Sequence, residues 1–98
     1  LYDRLLNYVK KSEGMYALQE YGRILQKEYP EEILQKYRTE VEKMAVRTSD
    51  RKTYQYLVSL LRSMKKIKGG SKMVEEIVDD WRRRYGKRPA MMDELRKL

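Results

Sequence analysis

The residues most able to do chemistry in this chain sit on neighbouring turns of one helical stretch: Glu75, Glu76, Asp79 and Asp80, followed by Arg82, Arg83 and Arg84. Carboxylates at i and i+4 share a helix face, where they can ligate a cation or move a proton. The same spacing sets Asp79 against Arg83 and Asp80 against Arg84, acid ahead of base, which is the favourable order along the helix dipole. Ion pairing on a solvated face is the stronger reading. A carboxylate catalyst needs a partner group in a dry cleft, and a chain without His or Cys has neither thiol chemistry nor the usual zinc ligands. No catalytic, metal-binding or cofactor-binding residue is assigned, and the chain is read as non-enzymatic.

The cations point to contact rather than reaction. Lys and Arg number 23 against 15 Asp and Glu, a net charge of +8. Residues 1–49 hold nine of the basic residues against eight acids, while residues 50–98 hold fourteen against seven. Between Arg51 and Val74 there is no acid at all. Arg51, Lys52, Arg62, Lys65, Lys66, Lys68 and Lys72, with Arg82, Arg83, Arg84, Lys87 and Arg88, are therefore the candidate contacts for an anion or nucleic acid. Trp81, Tyr85, Tyr54 and Tyr56 lie among them, and rings beside cations suit single strands. Trp81, Tyr85 and Tyr54, however, fall on apolar stripes and are expected in the core, leaving Tyr56 exposed. The nucleic-acid case rests on charge. Lysines at a helix C-terminus also have a purely structural reason to be there, since the dipole favours them. Gly69-Gly70-Ser71-Lys72 lacks the spacing and the preceding strand of a phosphate-binding loop.

Positioning these groups falls to helices. Apolar residues recur with a 3.6-residue period and no stretch sustains period-two alternation, which predicts an all-α fold of about six helices packed antiparallel across short loops. The first covers 1–11, the second 15–28, and the third starts at Pro30 with Ile33, Leu34, Tyr37, Val41, Met44 and Ala45 buried. The fourth covers 51–67, capped by Thr48-Ser49-Asp50; the fifth, 72–85, is capped by Ser71; the last opens at Pro89. Gly69-Gly70 separates the fourth from the fifth.

The helices also repeat. Leu5-Leu6-Asn7-Tyr8-Val9-Lys10-Lys11 returns as Leu60-Leu61-Arg62-Ser63-Met64-Lys65-Lys66, and Gly14 returns as Gly69. Leu18, Tyr21, Leu25 and Tyr29 match Val74, Ile77, Trp81 and Tyr85, each tyrosine with a proline after it. Two three-helix units, 1–48 and 49–98, would make a helical-repeat array resembling tetratricopeptide or HEAT solenoids; chance likeness between amphipathic helices in a compact bundle is the rival.

At 98 residues the chain is one domain, and its 39% of charged residues fit helices with a single buried stripe. No apolar run reaches the roughly 18 residues of a membrane span, and the absence of cysteine fits the cytoplasm. Leu1, Leu5, Tyr8 and Val9 already form a stripe, so the chain reads as a piece of a longer protein.

Ser49-Asp50-Arg51-Lys52-Thr53-Tyr54, Leu60 to Lys66, and Tyr85-Gly86-Lys87-Arg88-Pro89-Ala90-Met91-Met92-Asp93-Glu94-Leu95 resemble the C-terminal helical region of bacterial proteins that contain a SWIM zinc finger. Arg88-Pro89-Ala90 and Asp93-Glu94-Leu95 are the specific part. The zinc ligands of that family lie in another part of the protein, so none is carried onto this chain. The resemblance implies a role beside a zinc finger that serves DNA or protein contacts. The leading expectation is a helical module binding a protein partner, with nucleic-acid binding by residues 51–88 as the second reading and the oligomeric state left open.

Overall fold

In the computed structural model, which describes residues 3–47 and 50–98, each apolar stripe becomes a helix. They are α1 (Asp3–Lys11), α2 (Tyr16–Leu25), α3 (Pro30–Arg47), α4 (Arg51–Lys65), α5 (Gly70–Arg84) and α6 (Pro89–Leu95). The fold is all-α, with no strand among the described residues. In α4 the buried set Tyr54, Leu57, Val58, Leu61 and Met64 follows the i, i+3, i+4 rule, and Trp81 is fully buried on α5 with Val74 and Ile77.

Several ends differ from expectation. Helix α2 stops at Leu25, because residues 26–28 form a turn in which Tyr29 N–H still reaches the Leu25 carbonyl at 2.8 Å. Asp50 does stand at the N-cap of α4, in extended conformation and without a side-chain capping bond; Thr48 and Ser49 lie outside the described residues. Ser71 does not cap α5. That place belongs to Gly69, at φ +82°, and Gly70 is already helical.

Successive helices pack together from α1 to α5, and α1 also packs on α3 and α4 on α6. The molecule measures 45 × 23 × 18 Å. Cross-links set the directions: Arg38 faces Glu76, Glu42 meets Trp81 and Arg84, and Arg88 reaches Ala45, so α3 and α5 run parallel. On the other side Tyr29 donates to Asp3 at 2.7 Å and Lys36 reaches Lys10, so α1 is parallel too. Helices α1, α3 and α5 form one layer; α2 and α4 run back beneath it.

Some positions matched in the sequence are alike in burial, although Leu5 and Tyr21 are half-buried where Leu60 and Ile77 are buried. Leu6 and Leu61, Val9 and Met64, Leu18 and Val74, and Leu25 and Trp81 are buried pairs. Gly14 and Gly69 both have positive φ, +76° and +82°, and Pro30 and Pro89 each open a helix. The three-helix period crosses the two-layer alternation, putting α1 in one layer and α4 in the other.

Of the chain's glycines, Gly70 at the α4–α5 corner has the least room. A Cβ on Gly70 would lie 1.7 Å from the Met64 carbonyl oxygen, whereas one on Gly14 would meet nothing within 4 Å. Gly70→Ala should lower the unfolding free energy by about 3 kcal/mol through forced backbone movement, and Gly14→Ala by about 1 kcal/mol through its left-handed φ alone. Urea unfolding of the two variants checks the order; equal losses would mean that the corner relaxes freely.

Candidate functional site

Helix α3 has four differently employed sides, as the turn of about 100° per residue requires. Ile33, Tyr37, Val41 and Met44 face the core. Lys36, Glu40 and Lys43 turn toward α1; Leu34, Arg38, Glu42 and Ala45 turn toward α5. The remaining side, with exposed Gln35 and Thr39, floors an open groove of about 1300 Å³.

One wall of the groove is the end of α1 and its turn, Lys10 to Glu13. The other is Lys68 and Gly69 with Lys72, Met73 and Glu76 of α5, and Glu28, Glu31 and Glu32 stand at its foot. The α1 wall is held by a buried ammonium. Lys36 Nζ lies 3.0 Å from Glu40 Oε2 and also donates to the carbonyls of Lys10, at 3.5 Å, and Ser12. Glu40 is only 3% exposed, and Lys43 Nζ approaches the same oxygen at 3.7 Å. Helix ends leave carbonyls without partners, and here Lys36 supplies them while its charge is matched by Glu40. On the α5 side Arg38 pairs with Glu76 at 3.9 Å. Among the described residues Lys10, Lys11, Lys68 and Lys72, and Glu13, Glu28, Glu31 and Glu32, make no ion pair. The lining thus offers free charges of both signs within one opening.

Four of the twelve cations picked from the sequence are engaged in holding the fold. Arg51 pairs with Asp93 at 3.1 Å and Glu94 at 2.8 Å, fastening α4 to α6. Arg62 donates to the Lys97 carbonyl at 2.9 Å. Arg84 pairs with Asp80 at 2.9 Å and Glu42 at 3.2 Å, and Arg88 donates to the Ala45 carbonyl while lying 4.4 Å from the centre of the Tyr85 ring. Lys68 and Lys72 enter the groove. Lys52, Lys65, Lys66, Arg82, Arg83 and Lys87 are exposed outside it without ion pairs. Of the two acid–base pairs read on α5, Asp80–Arg84 forms and Asp79–Arg83 does not. Trp81 and Tyr54 are core, and Trp81 Nε1 donates to Glu42 at 2.7 Å; Tyr56 is exposed and accepts from Gln19.

The Lys36–Glu40 pair was not singled out from the sequence. Its signal was there, since lysine ahead of glutamate at i, i+4 is the less favourable order for a surface pair and so has a reason elsewhere. Lys10, Lys11 and the groove glutamates were missed because only the fold brings α1 and the α4–α5 turn to either side of α3.

Electrostatics at the α4–α6 seam are one-directional. The Arg51 guanidinium bonded to Asp93 holds that carboxyl below its ordinary range, and Arg51 is itself held above its usual value. Burial pushes Glu94 up, but bonds from Lys97 and Arg51 together outweigh it and leave Glu94 lowered as well. Against known protein families, curated proteins and solved structures, the chain has no match.

Lys36→Met should lower stability by about 3 kcal/mol, because Glu40 stays buried without its ammonium, and adding Glu40→Leu should recover most of the loss. If Lys36→Met unfolds in urea at the midpoint of the parent, the pair contributes nothing. Groups with depressed folded pKa release stability as they protonate, so the unfolding free energy should stay level above the ordinary values of 3.8 and 4.5 and fall as pH drops through the lowered folded ones. Asp93→Asn with Glu94→Gln should flatten that acid limb in denaturant titrations between pH 2.5 and 7; an acid limb as steep as the parent's would locate the effect elsewhere.

Proposed function

We propose that this chain is a non-enzymatic helical interaction module that holds a segment of a partner protein in the groove over α3. The observation that carries this reading is the groove's mixed lining, with unpaired Lys10, Lys11, Lys68 and Lys72 alongside unpaired Glu13, Glu28, Glu31 and Glu32. Protein segments carry side chains of both signs and can answer such a pattern, which gives register and selectivity as much as affinity. A continuous polyanion would answer the lysines and be repelled by the glutamates. Exposed rims of this kind are salt-sensitive, which fits regulated association rather than a permanent complex.

The cytoplasm is its proposed location, supported by a sequence without cysteine; no helix among the described residues is long and apolar enough to cross a membrane. A place in a larger bacterial protein beside a SWIM-type zinc finger rests on the resemblance in Arg88-Pro89-Ala90 and Asp93-Glu94-Leu95. Most of these residues have work in the fold: Arg88 reaches α3, Pro89 opens α6, Asp93 and Glu94 hold Arg51, and Leu95 is buried.

A photo-crosslinking amino acid placed at Gln35 on the groove floor tests the reading in cells. The expected result is one or a few discrete cross-linked proteins whose yield drops several-fold when Lys68→Glu and Lys72→Glu are added. Cross-links to nucleic acid alone, or a pattern indifferent to the lysine reversals, would overturn it.

A further inference from the structure

Two basic helix ends that are far apart in the chain stand side by side in the fold. The bond from Arg62 to the Lys97 carbonyl, 2.9 Å, brings the last turns of α4 next to the chain just past α6. Lys65 and Lys66 follow Arg62 by one turn, Arg96 precedes Lys97, and all are exposed. The side chains of Lys65, Lys66 and Arg96 make no hydrogen bond or ion pair. The two acidic side chains of α6 are already occupied, Asp93 by Arg51 at 3.1 Å and Glu94 by Arg51 at 2.8 Å and Lys97 at 3.2 Å. No acid interrupts the sequence from Arg51 to Val74. The side chains left unpaired at this corner, Lys65, Lys66 and Arg96, are therefore all positive, unlike those of the groove over α3.

We propose that this α4–α6 corner binds the phosphodiester backbone of nucleic acid. Free ammonium and guanidinium groups answer phosphates directly, and the release of condensed counterions drives the association. A protein partner generally needs a buried aromatic or apolar anchor, and the corner presents none: Leu60, Leu61, Met64 and Leu95 are buried, and the large exposed apolar residues, Tyr8, Tyr16, Ile24, Val46 and Tyr56, lie on other turns. Phosphate binding asks for no such anchor. Lys65 and Lys66 were among the candidates from sequence, whereas Arg96 and Lys97 join them only in the fold. The site is separate from the groove and does not depend on the groove's function.

Fluorescence anisotropy with a labelled oligothymidine and with a duplex of equal length, over a range of salt, tests the proposal. Binding should weaken steeply as salt rises, with a log–log slope near −0.7 per phosphate contact on the single strand or −0.9 on the duplex, and the tighter of the two affinities tells which form is held. The triple variant Lys65→Ala/Lys66→Ala/Arg96→Ala should bind about tenfold or more weakly at low salt and lose about 2 from the slope. Those side chains bond no other group and contribute only to the helix dipole, so its melting temperature should stay within a few degrees of the parent's. Lys10→Ala/Lys11→Ala, in the groove, should bind as the parent does. The proposal is overturned if neither oligonucleotide shows salt-sensitive binding, if the triple variant binds normally, if the groove variant loses binding instead, or if polyglutamate competes as well as the oligonucleotides.

Discussion

Both halves of the chain close on α3, and they do so through opposite edges of it. The α1 edge is Lys36, Glu40 and Lys43; the α5 edge is Leu34, Arg38, Glu42 and Ala45, roughly half a turn away. A chain of this length buries too little surface to build two independent cores. Sharing one long helix solves this, because the apolar side of α3 joins α2 and α4 into a single hydrophobic cluster. The polar edges then decide alignment. A buried ammonium without Glu40, or a buried indole N–H without Glu42, would be costly, so each half has one register on α3 that satisfies its polar groups. The groove follows from that arrangement: it is the side of α3 that neither flanking helix covers.

Arginine and lysine divide the positive charge between them. Arg51 binds two carboxylates of α6, Arg84 joins Glu42 of α3 to Asp80 of its own helix, Arg88 bonds the Ala45 carbonyl of α3 while lying over the Tyr85 ring, and Arg62 bonds a carbonyl of the last turn. A planar guanidinium with several fixed donors suits such bridging. Most lysines keep their ammonium in water, which the strong hydration of that group favours. Lys36 departs from this pattern, and it does so by finding a carboxylate and two carbonyls at once. The net charge of +8 is therefore a poor guide to where a ligand is met, since part of it is internal structure.

The six helices, their order and most of the core were legible because a 3.6-residue stripe is a local property of the chain. Tyr54 and Trp81 were placed inside on that ground, and both are buried. Helix ends were less legible. Ser71 has the composition of a cap, yet the close approach of Gly70 to the Met64 carbonyl pulls the helix start back and gives Gly69 the capping position. Backbone crowding of that sort involves residues six apart in a turn and leaves no mark in residue type beyond the pair of glycines. The Asp79–Arg83 pair failed for a different reason: spacing permits contact on an exposed face but does not compel it, and exposed pairs contribute little.

The sequence by itself determined an all-helical chain, the apolar side of each helix, the breaks at Gly14, at Tyr29-Pro30 and at Gly69-Gly70, and a surplus of positive charge in the second half. Only the tertiary structure decided which charges meet. It placed Lys10 and Lys11 across a groove from Lys68 and Lys72, buried Lys36 with Glu40, bound Arg51, Arg62, Arg84 and Arg88 into the fold, and brought the chain after α6 to Arg62, one turn before Lys65 and Lys66. The reason is one of range. Periodicity and backbone conformation act over a few residues and can be read along the chain, whereas the fate of a charge depends on groups that packing brings near from dozens of residues away.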